Sequence, residues 1–371
     1  MDLATTIIQP IEAEMQQLRA LFRDALCSSN PLLQQVVDHT LRRGGKLMRP
    51  MLTLLMAKLC GEVNSVAYHA AAALELLHTA SLMHDDVVDD SDQRRGQPST
   101  CAAFGNKTAV LAGDFYLATA LTEVARTHRT DIVEIVAQLG RLLADGEFMQ
   151  LASSTRLEAC QTTPYTTSRT AAKGAGKETP RRVAEAQADE AGQPNSAEHE
   201  EISFLNEADY YDIIRKKTAS LFAACAQTGA LAANATDEIV ENARLFGEYV
   251  GMSFQIKDDI FDYFDDQTIG KPTGNDMREG KLTLPIIHAL RTCPDLTALQ
   301  LAKQVKTGTI SSTEIAHLID FTKAHGGIDY ATQVMHNYRD RAINLLPSLP
   351  QNQAIHKALA AYADCVVERK K

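Results

Sequence analysis

The sequence predicts an all-α protein, and three observations support that fold class. Outside residues 152–203, apolar residues recur at steps of three and four, which is the spacing of one face of a helix. Alanine and leucine, both good helix formers, are abundant, and the two-residue alternation of a half-buried strand is scarce. Because 45% of the 371 residues are hydrophobic, we expect helices that pack around a large buried core.

The first element that the sequence marks clearly begins near Pro50. The pair Gly44-Gly45 indicates a loop, and proline is well tolerated in the first turn of a helix because an amide hydrogen there has no partner within the helix. We therefore predict a helix that starts near Pro50 and continues through residues 51–55.

A second predicted helix carries an acidic run near its end. Residues at steps of three and four form one face that changes from apolar to acidic along the chain: Leu74, Leu77, His78, Ser81 and Asp85. Asp89 lies one turn beyond Asp85, and Asp86 lies beside it, so the three carboxylates project together. We call Asp85, Asp86 and Asp89 the first acidic cluster.

The middle of the chain differs in composition. Residues from about 152 to about 203 are rich in Thr, Ser, Ala, Gly, Glu and Gln and lack helical periodicity, which indicates a flexible insertion. A short exposed helix over 181–188 is an alternative that the composition leaves open. The helical pattern resumes near Glu207, so we expect a single helical domain over residues 1–371 that the insertion interrupts.

Another predicted helix repeats the acidic pattern. Asp258, Asp259 and Asp262, the second acidic cluster, follow Gln255 on this helix. Crowded carboxylates repel one another unless a cation neutralises them, and Mg²⁺ prefers carboxylate oxygens together with substrate phosphate. Two such clusters within apolar sequence therefore favour a metal-dependent enzyme that acts on diphosphates.

Basic residues near both clusters are candidates for binding the phosphates. Arginine offers planar, permanently charged donors, and lysine offers a compact charge on a flexible stem. The candidates, with one hydroxyl, are Lys46, Arg49, Arg94, Arg95, Lys217, Thr218, Lys271 and Lys281.

Each of these features also has a simpler interpretation. An isolated acidic run on a helix is commonly a solvated face, and a single histidine such as His78 is commonly part of the core. Arg94 and Arg95 are equally compatible with capping a helix end. The metal hypothesis therefore depends on the two clusters and the basic residues occurring together.

The composition also limits the partners and the compartment. A net charge of −10 argues against nucleic acid, because binding a phosphate backbone needs a basic surface. The seven cysteines are scattered, so neither a disulfide framework nor a zinc site is predicted. The amino terminus lacks a basic region followed by an apolar stretch, and no apolar run is long enough to cross a bilayer. We expect a cytoplasmic protein.

Six short motifs carry a resemblance to a known family. They are residues 44–50 (GGKLMRP), 84–89 (HDDVVD), 94–96 (RRG), 217–219 (KTA), 255–259 (QIKDD) and 280–285 (GKLTLP). Together they resemble the trans-type polyprenyl diphosphate synthases, which extend an allylic diphosphate with isopentenyl diphosphate units. The likeness covers nearly the whole chain outside the insertion, although Leu47 stands where many members have arginine.

The resemblance implies an isoprenoid-synthase-type helical bundle around a deep central cavity, a homodimer, and two acidic clusters that face each other across the cavity mouth. It assigns Mg²⁺, three ions per active site, to Asp85, Asp86, Asp89, Asp258, Asp259 and Asp262. The allylic diphosphate would bind these ions and Arg94, Lys217, Thr218, Gln255 and Lys271, with Lys281 as a further cation. Isopentenyl diphosphate would bind Lys46, Arg49, His78 and Arg95. Lys217 is counted with the aspartates as catalytic.

The expected reaction begins with ionisation of the allylic diphosphate. As a hypothesis, magnesium draws charge from the bridging oxygen, so that the bond to the allylic carbon breaks and isopentenyl diphosphate attacks the resulting cation. The proton released in this step would pass to the departed diphosphate. A dry apolar cavity would keep water from trapping the cation.

The growing product is expected to lie along the helix below Asp85. Ala80 and Ser81 are small, whereas family members with short products commonly have aromatic residues there, and Leu77 and Leu74 lie further down. At about 1.5 Å per residue, each helical turn accommodates about one isoprene unit. We predict a long-chain all-trans product, such as a respiratory quinone side chain, with transient contact at a membrane surface.

Three alternatives remain open from the sequence. A terpene cyclase would share the first acidic cluster, but its second metal site usually mixes Asp or Glu with Asn and Ser. A synthase of farnesyl or geranylgeranyl diphosphate is the nearer alternative, and product analysis separates it from a long-chain enzyme. A non-catalytic synthase subunit would be expected to lack some acidic residues, and none is missing here.

Overall fold

The computed structural model describes residues 3–42, 45–94, 96–153, 206–264 and 273–369. Helices make up most of these ranges, so the all-α prediction is confirmed. The expected insertion lies almost entirely outside the described residues, as does the alternative helix within it. The helix before it continues through Ser153, and helical structure resumes at Glu207 as predicted.

Among the described residues up to 153, the chain forms eight helices and a small hairpin. The helices are α1 (Leu3–Ile8), α2 (Glu12–Ala25), α3 (Pro31–Arg42), α4 (Met48–Cys60), α5 (Ser65–Val88), α6 (Thr100–Phe104), α7 (Asn106–Ala125) and α8 (Thr130–Ser153), with a 3-10 turn at Gln9–Ile11. Two short antiparallel strands, β1 (Gln93–Arg94) and β2 (Gln97–Pro98), follow α5, with Arg94 opposite Gln97.

The second half begins with α9 (Glu207–Ile214), which continues directly into a π-helical segment (Arg215–Ala219). The remaining helices are α10 (Ser220–Ala232), α11 (Asp237–Phe261), α12 (Asn275–Arg278), α13 (Leu284–Thr292), α14 (Leu296–Thr307), α15 (Ser312–Ala324), α16 (Gly327–Leu345) and α17 (Gln353–Glu368), with a 3-10 turn at Leu346–Ser348. None of the described helices has the length and apolar character needed to cross a bilayer.

Local signals explain how the first acidic helix and its neighbour begin. Helix α4 starts at Met48, so Pro50 lies in the first turn as predicted. Asn64 caps α5, because its side chain accepts a hydrogen bond from the amide of Ala67 at 3.1 Å. The alanines at 70–73 are fully buried, and such small side chains let α5 pack closely against α4 and α7.

Buried apolar side chains form two clusters that α11 joins. The larger cluster lies mainly between α1, α2, α4, α5, α7, α8, α10 and α17, and the smaller lies mainly between α9, α13, α14, α15 and α16. The first half of α11 belongs to the larger cluster, and its second half belongs to the smaller. Helix α11 is therefore packed against buried apolar side chains along both of its halves, up to the second acidic cluster.

Candidate active site

Helix α5 ends in the first acidic cluster. Asp85 and Asp86 lie in its last turn, and the amide of Asp89 donates to the carbonyl of Asp85 at 2.8 Å at the helix end. Successive residues point about 100° apart around a helix, so the three carboxylates meet different surroundings. Asp86 is 1% exposed, Asp85 is half-buried and Asp89 is exposed.

The buried carboxylate of Asp86 is paired with Arg94 from the small hairpin. Arg94 donates to Oδ1 of Asp86 through Nε at 2.7 Å and through Nη2 at 2.6 Å. A buried carboxylate is costly without such a partner. The family resemblance implies that Arg94 binds the allylic diphosphate, and the structure adds that Arg94 neutralises Asp86. Arg95, its neighbour in the motif, lies outside the described residues.

Lys217 approaches the first cluster from the π-helical segment. Its Nζ lies 2.7 and 2.9 Å from the two carboxylate oxygens of Glu147 and 3.1 Å from Oε1 of Gln150, both on α8. Burial and the nearby Glu147 raise the pKa of Asp85 to about 6, and the charge of Lys217 acts against this rise. Asp85, Glu147 and Lys217 therefore lie within electrostatic range of one another.

Two glycines allow helices to approach the π-helical segment closely. A Cβ at Gly146 of α8 would lie 3.0 Å from the backbone nitrogen of Lys217, and a Cβ at Gly251 of α11 would lie 2.6 Å from Cα of Ala219. Local π-helix is rare and frequently marks functional sites. The close contacts fix the backbone that carries Lys217 and Thr218.

Helix α11 ends in the second acidic cluster, whose middle carboxylate is buried. Asp259 is 3% exposed, and both of its oxygens accept hydrogen bonds: Oδ2 from the hydroxyl of Tyr210 at 2.6 Å and Oδ1 from Nε2 of Gln255 at 2.8 Å. Oε1 of Gln255 accepts from the hydroxyl of Thr218 at 2.7 Å. Burial raises the pKa of Asp259 to about 7, and these donors act in the opposite direction.

Asp262 contacts the start of α12. Its carboxylate accepts the backbone amides of Asn275 at 2.9 Å and Asp276 at 3.1 Å, at the start of α12. Burial raises the pKa of both Asp262 and Asp276, and the neighbouring Asp259 adds to the rise at Asp276. Asp276, which the sequence did not single out, is thus a further acidic group beside the second cluster.

Asp258 is paired with an arginine at the end of the chain. Nη2 of Arg369 donates to Oδ1 of Asp258 at 2.8 Å and to the carbonyl of Phe254 at 2.8 Å, and the guanidinium carbon lies 3.8 Å from the centre of the Phe254 ring. The side chain of Asp258 remains 43% exposed. Arg369 therefore supplies a positive charge at the second cluster.

Three of the residues expected to bind isopentenyl diphosphate are described: Arg49 on α4, His78 on α5, and Lys46 in the loop before α4. The guanidinium carbon of Arg49 lies 4.9 Å from the centre of the Phe222 ring and 5.9 Å from that of Phe254. Burial lowers the pKa of Arg369, and the charge of Arg49 adds to this shift, so the two guanidinium groups lie within electrostatic range of one another. His78 is half-buried on α5, and Lys46 is exposed.

Lys281 lies within electrostatic range of Asp89 in the first cluster and of Asp276 beside the second. Burial raises the pKa of Asp89 in the first cluster, and the charge of Lys281 acts against this rise. Burial lowers the pKa of Lys281, but Glu279, Asp276 and Asp89 outweigh this effect and raise it. The positive charge of Lys281 therefore interacts both with Asp89 at the end of α5 and with Asp276 beside the second cluster. Lys271 lies outside the described residues.

The carboxylates fit magnesium if substrate completes the site. Within the described ranges, no three acidic, histidine or cysteine side chains converge into a ready-made metal cage. Magnesium commonly keeps several waters and takes one or two carboxylates together with substrate phosphate. Asp85, Asp89 and Asp258 retain exposure for this role, whereas Asp86 and Asp259 are occupied by protein donors.

The wall expected along α5 consists of Ala80, Ser81, Leu77 and Leu74. Ala80 is 2% exposed, and Ser81 is half-buried with its hydroxyl donated to the carbonyl of His78 at 2.9 Å. Leu77 is 6% exposed and Leu74 is fully buried in the larger core cluster. Small side chains therefore lie one turn before Asp85, and leucines continue the same helix into the core.

Several groups of the site left no clear signal in the sequence. They come from segments far from the aspartates along the chain, or carry no motif of their own: Glu147, Gln150, Tyr210, Asp276 and Arg369. The three basic residues that end the chain were a visible feature, but only the fold shows that the first of them reaches Asp258.

Comparison with known proteins gives the family. The profile of the polyprenyl synthetase family matches residues 30–176 and 176–321. The chain is 30% identical to the octaprenyl diphosphate synthase of Haemophilus influenzae over 359 residues, which cover 96% of this chain and 94% of that protein. The chain therefore belongs to the polyprenyl synthetase family and is a prenyltransferase enzyme, as the sequence motifs predicted.

Solved structures agree on the fold along the whole chain. The geranylgeranyl pyrophosphate synthase of Bacteroides thetaiotaomicron is 42% identical, with a TM-score of 0.77 and coverage of 100% of both chains. A decaprenyl diphosphate synthase of Rhodobacter capsulatus is 30% identical, with a TM-score of 0.80 and coverage of 99% of both. The expected isoprenoid-synthase-type bundle is confirmed. The octaprenyl and decaprenyl enzymes agree with the long-chain interpretation, and the geranylgeranyl enzyme is a relative with a shorter product.

Proposed function

We propose that this prenyltransferase condenses isopentenyl diphosphate with an allylic diphosphate and makes a long-chain all-trans polyprenyl diphosphate, in a reaction that depends on Mg²⁺. The observation that carries the proposal is the placement of lysines between acidic groups: Lys217 within range of Asp85, and Lys281 within range of Asp89 and Asp276. Carboxylates can bind a diphosphate through divalent ions, and lysines can bind its oxygens directly, so this arrangement supplies groups for both.

The acidic clusters and the lysines bind and orient the allylic diphosphate. Asp85, Asp89 and Asp258 would hold the metal ions, up to three per site, with Asp86, Asp259 and Asp262 supporting them or binding through water. When bound, magnesium supplies a Lewis acid that stabilises the negative charge of the departing diphosphate. Lys217 exchanges its contacts with Glu147 and Gln150 for phosphate oxygens, and Lys281 adds a second positive charge.

Isopentenyl diphosphate binds at the basic groups beside α4 and α5. The guanidinium group of Arg49 lies over Phe222 and Phe254, which keeps its charge in a partly apolar setting where electrostatic attraction is strong. His78 and Lys46 complete the predicted pocket, together with Arg95. The apolar section of α5 excludes water from the reacting carbons.

Product length depends on the section of α5 before Asp85. The small Ala80 and Ser81 favour a long product, and the names of the octaprenyl and decaprenyl relatives support it. We propose that the product supplies the side chain of a respiratory quinone. A geranylgeranyl-length product is the second candidate, which the 42% identical solved structure favours.

Product analysis decides between these lengths. Purified enzyme is incubated with labelled isopentenyl diphosphate, separate allylic primers and Mg²⁺, and the products are separated by chromatography. We expect products longer than geranylgeranyl diphosphate. Ser81→Phe should shorten them, because the ring fills space one turn before Asp85, whereas Val88→Phe should not, because Val88 is 64% exposed. Unchanged product length in Ser81→Phe contradicts the wall proposed along α5, and a geranylgeranyl product from the wild type contradicts the long-chain proposal.

We also propose a homodimer. Helix α7 presents an exposed and largely apolar face that includes Leu111, 68% exposed, Leu121, 54% exposed, Val110 and Ala118, together with the exposed Asp114. Exposed apolar patches commonly mark protein interfaces. Leu111→Glu should disrupt the dimer, and light scattering should then report the mass of a monomer.

The location proposed is the cytoplasm, where the cysteines of the described ranges remain thiols. The long apolar product would bring the enzyme into transient contact with a membrane surface.

A further inference from the structure

A hydrogen-bonded network connects three elements behind the second acidic cluster. It runs from the hydroxyl of Thr218 to Oε1 of Gln255 at 2.7 Å, from Nε2 of Gln255 to Oδ1 of Asp259 at 2.8 Å, and from the hydroxyl of Tyr210 to Oδ2 of Asp259 at 2.6 Å. These residues belong to the π-helical segment, α11 and α9. Both oxygens of Asp259 are therefore held by protein donors on opposite sides.

Tyr210 itself is fixed by the start of α9. Oε1 of Glu207 accepts the hydroxyls of Tyr211 at 2.8 Å and Tyr330 at 2.5 Å, and Oε2 lies 3.1 Å from Nη1 of Arg291. Tyr330 and Arg291 lie on α16 and α13, so α9 is attached to two helices that pack elsewhere in the smaller core cluster. Tyr210 is 6% exposed, so its hydroxyl reaches Asp259 from a rigid, buried position.

We infer that Tyr210 is a positioning residue for the second metal site. Its hydroxyl and Gln255 fix the carboxylate of Asp259, and Asp259 in turn fixes the last turns of α11, which carry Asp258 and Asp262. Tyr210 touches neither substrate nor metal in this role. The inference rests on the proposed function, because it concerns how the proposed magnesium ligands are oriented.

The energetic reason is that a buried carboxylate oxygen needs a donor. Without the hydroxyl of Tyr210, Oδ2 of Asp259 is left in a protein interior where water has little access, which is costly. The carboxylate then turns toward other donors or charges, and the neighbouring Asp258 and Asp262 move with the helix end. Removing a partner that orients metal ligands typically weakens metal binding by about 10- to 100-fold.

The test compares two neighbouring tyrosines that lose the same hydroxyl. Tyr210→Phe removes the donor to Asp259, and Tyr211→Phe removes a donor to Glu207 that does not contact the acidic clusters. Binding of Mn²⁺, a paramagnetic substitute for Mg²⁺, is measured by electron paramagnetic resonance in the presence of inorganic diphosphate. We expect about 10- to 100-fold weaker binding in Tyr210→Phe and wild-type binding in Tyr211→Phe.

A kinetic measurement separates positioning from general damage to the fold. In Tyr210→Phe, the Mg²⁺ concentration for half-maximal activity should rise while KM for isopentenyl diphosphate stays unchanged, because that substrate binds at Arg49 and its neighbours. A variant that is merely unstable would change both values together, and that result overturns the inference. So does wild-type metal binding in Tyr210→Phe. If the wild-type enzyme binds no metal with diphosphate, the proposed function itself fails.

Discussion

The two acidic clusters have nearly the same spacing in the sequence but different surroundings in the structure. In the first cluster, the buried Asp86 is paired with the charged Arg94. In the second, the buried Asp259 accepts hydrogen bonds from the neutral Tyr210 and Gln255. The middle aspartate is buried in both clusters because it follows the first by one residue and so points about 100° further around the helix.

The difference shows that the spacing of the aspartates in the sequence does not by itself assign the role of each carboxylate. Asp85 lies near Glu147 and Lys217, which leaves its charge only partly compensated, whereas Asp258 is paired directly with Arg369. The members that stay exposed or half-buried are suited to bind metal, and the buried members are suited to hold the helix ends.

The largest expected effect follows removal of an accessible carboxylate. Asp85→Asn should lower kcat by about 10³-fold or more, because a lost metal ligand removes several kcal/mol of charge stabilisation from the transition state. Asp258→Asn should lower it to a similar extent. Steady-state assays at saturating Mg²⁺ measure both values.

Asp90→Asn is the matched control for Asp85→Asn. Asp90 belongs to the same acidic run, is exposed, and has a positive φ of 48°, a conformation that asparagine tolerates well. Its substitution should leave kcat within about twofold of the wild type. Near-normal turnover in Asp85→Asn, or an equal loss in Asp90→Asn, would remove the special role of the accessible carboxylates.

The buried aspartates should differ from each other in stability. Asp86→Asn should lower the free energy of unfolding by about 2 kcal/mol, because it leaves the half-buried Arg94 without its counter-charge. Asp259→Asn should change it by less than about 1 kcal/mol, because Tyr210 and Gln255 are neutral and can still bond an amide. Urea unfolding in the presence of a metal chelator measures the free energy of unfolding of both variants. A larger loss of this free energy in Asp259→Asn than in Asp86→Asn would contradict the contrast between a charged partner and neutral partners.

The stability of the metal-free enzyme should depend on pH. The pKa of Asp85 is raised from 3.8 to about 6 by burial, so the folded protein holds this proton more tightly than the unfolded chain does. Stability without metal should therefore fall as the pH rises from about 4 to about 6. Because the pKa of Asp259 is raised to about 7, the pH range over which stability falls extends upward to about that value.

Magnesium should reverse this loss, because it binds the ionised carboxylates and competes with protons. The increase in Tm on adding Mg²⁺ should be small near pH 5 and larger near pH 8. Thermal unfolding with and without Mg²⁺ at each pH measures the effect, and Asp85→Asn provides the control with one titrating group removed. A Tm increase that does not vary with pH would show that protons and metal do not share these carboxylates.

The smallest expected effect concerns Arg369, whose charge occupies Asp258. Arg369→Gln should tighten Mg²⁺ binding to the substrate-free enzyme by about threefold, because a competing cation is removed from a partly solvated site. Arg341→Gln is a suitable control, since Arg341 is exposed and stacks on Tyr249 instead. Calorimetric titration measures both, and weaker binding in Arg369→Gln would mean that Arg369 supports the metal site.

Much of the fold and of the site followed from local patterns in the sequence. Helical periodicity identified the helices that carry both clusters, Pro50 marked the start of α4, and the change in composition marked where the described helices stop and resume. These features depend on neighbouring residues, so one sequence is enough to reveal them.

The partners of the aspartates could not be predicted because they depend on tertiary contacts. Nothing near Tyr210 indicates that its hydroxyl meets Asp259, and Glu147 resembles any exposed acidic residue until α8 places it beside Lys217. The role of Arg94 was incomplete for the same reason, since the small hairpin turns it toward Asp86. Side chains that meet through packing of distant helices leave no periodic signal.

The most direct test of the two acidic clusters is a calorimetric titration with an unreactive allylic diphosphate analogue, with Mg²⁺ and with a chelator. If both clusters hold the diphosphate through shared metal ions, the analogue binds tightly with Mg²⁺ and at least about 100-fold more weakly without it. Asp85→Asn and Asp258→Asn should each abolish most of that difference. Equal affinity with and without metal would contradict a metal-bridged site.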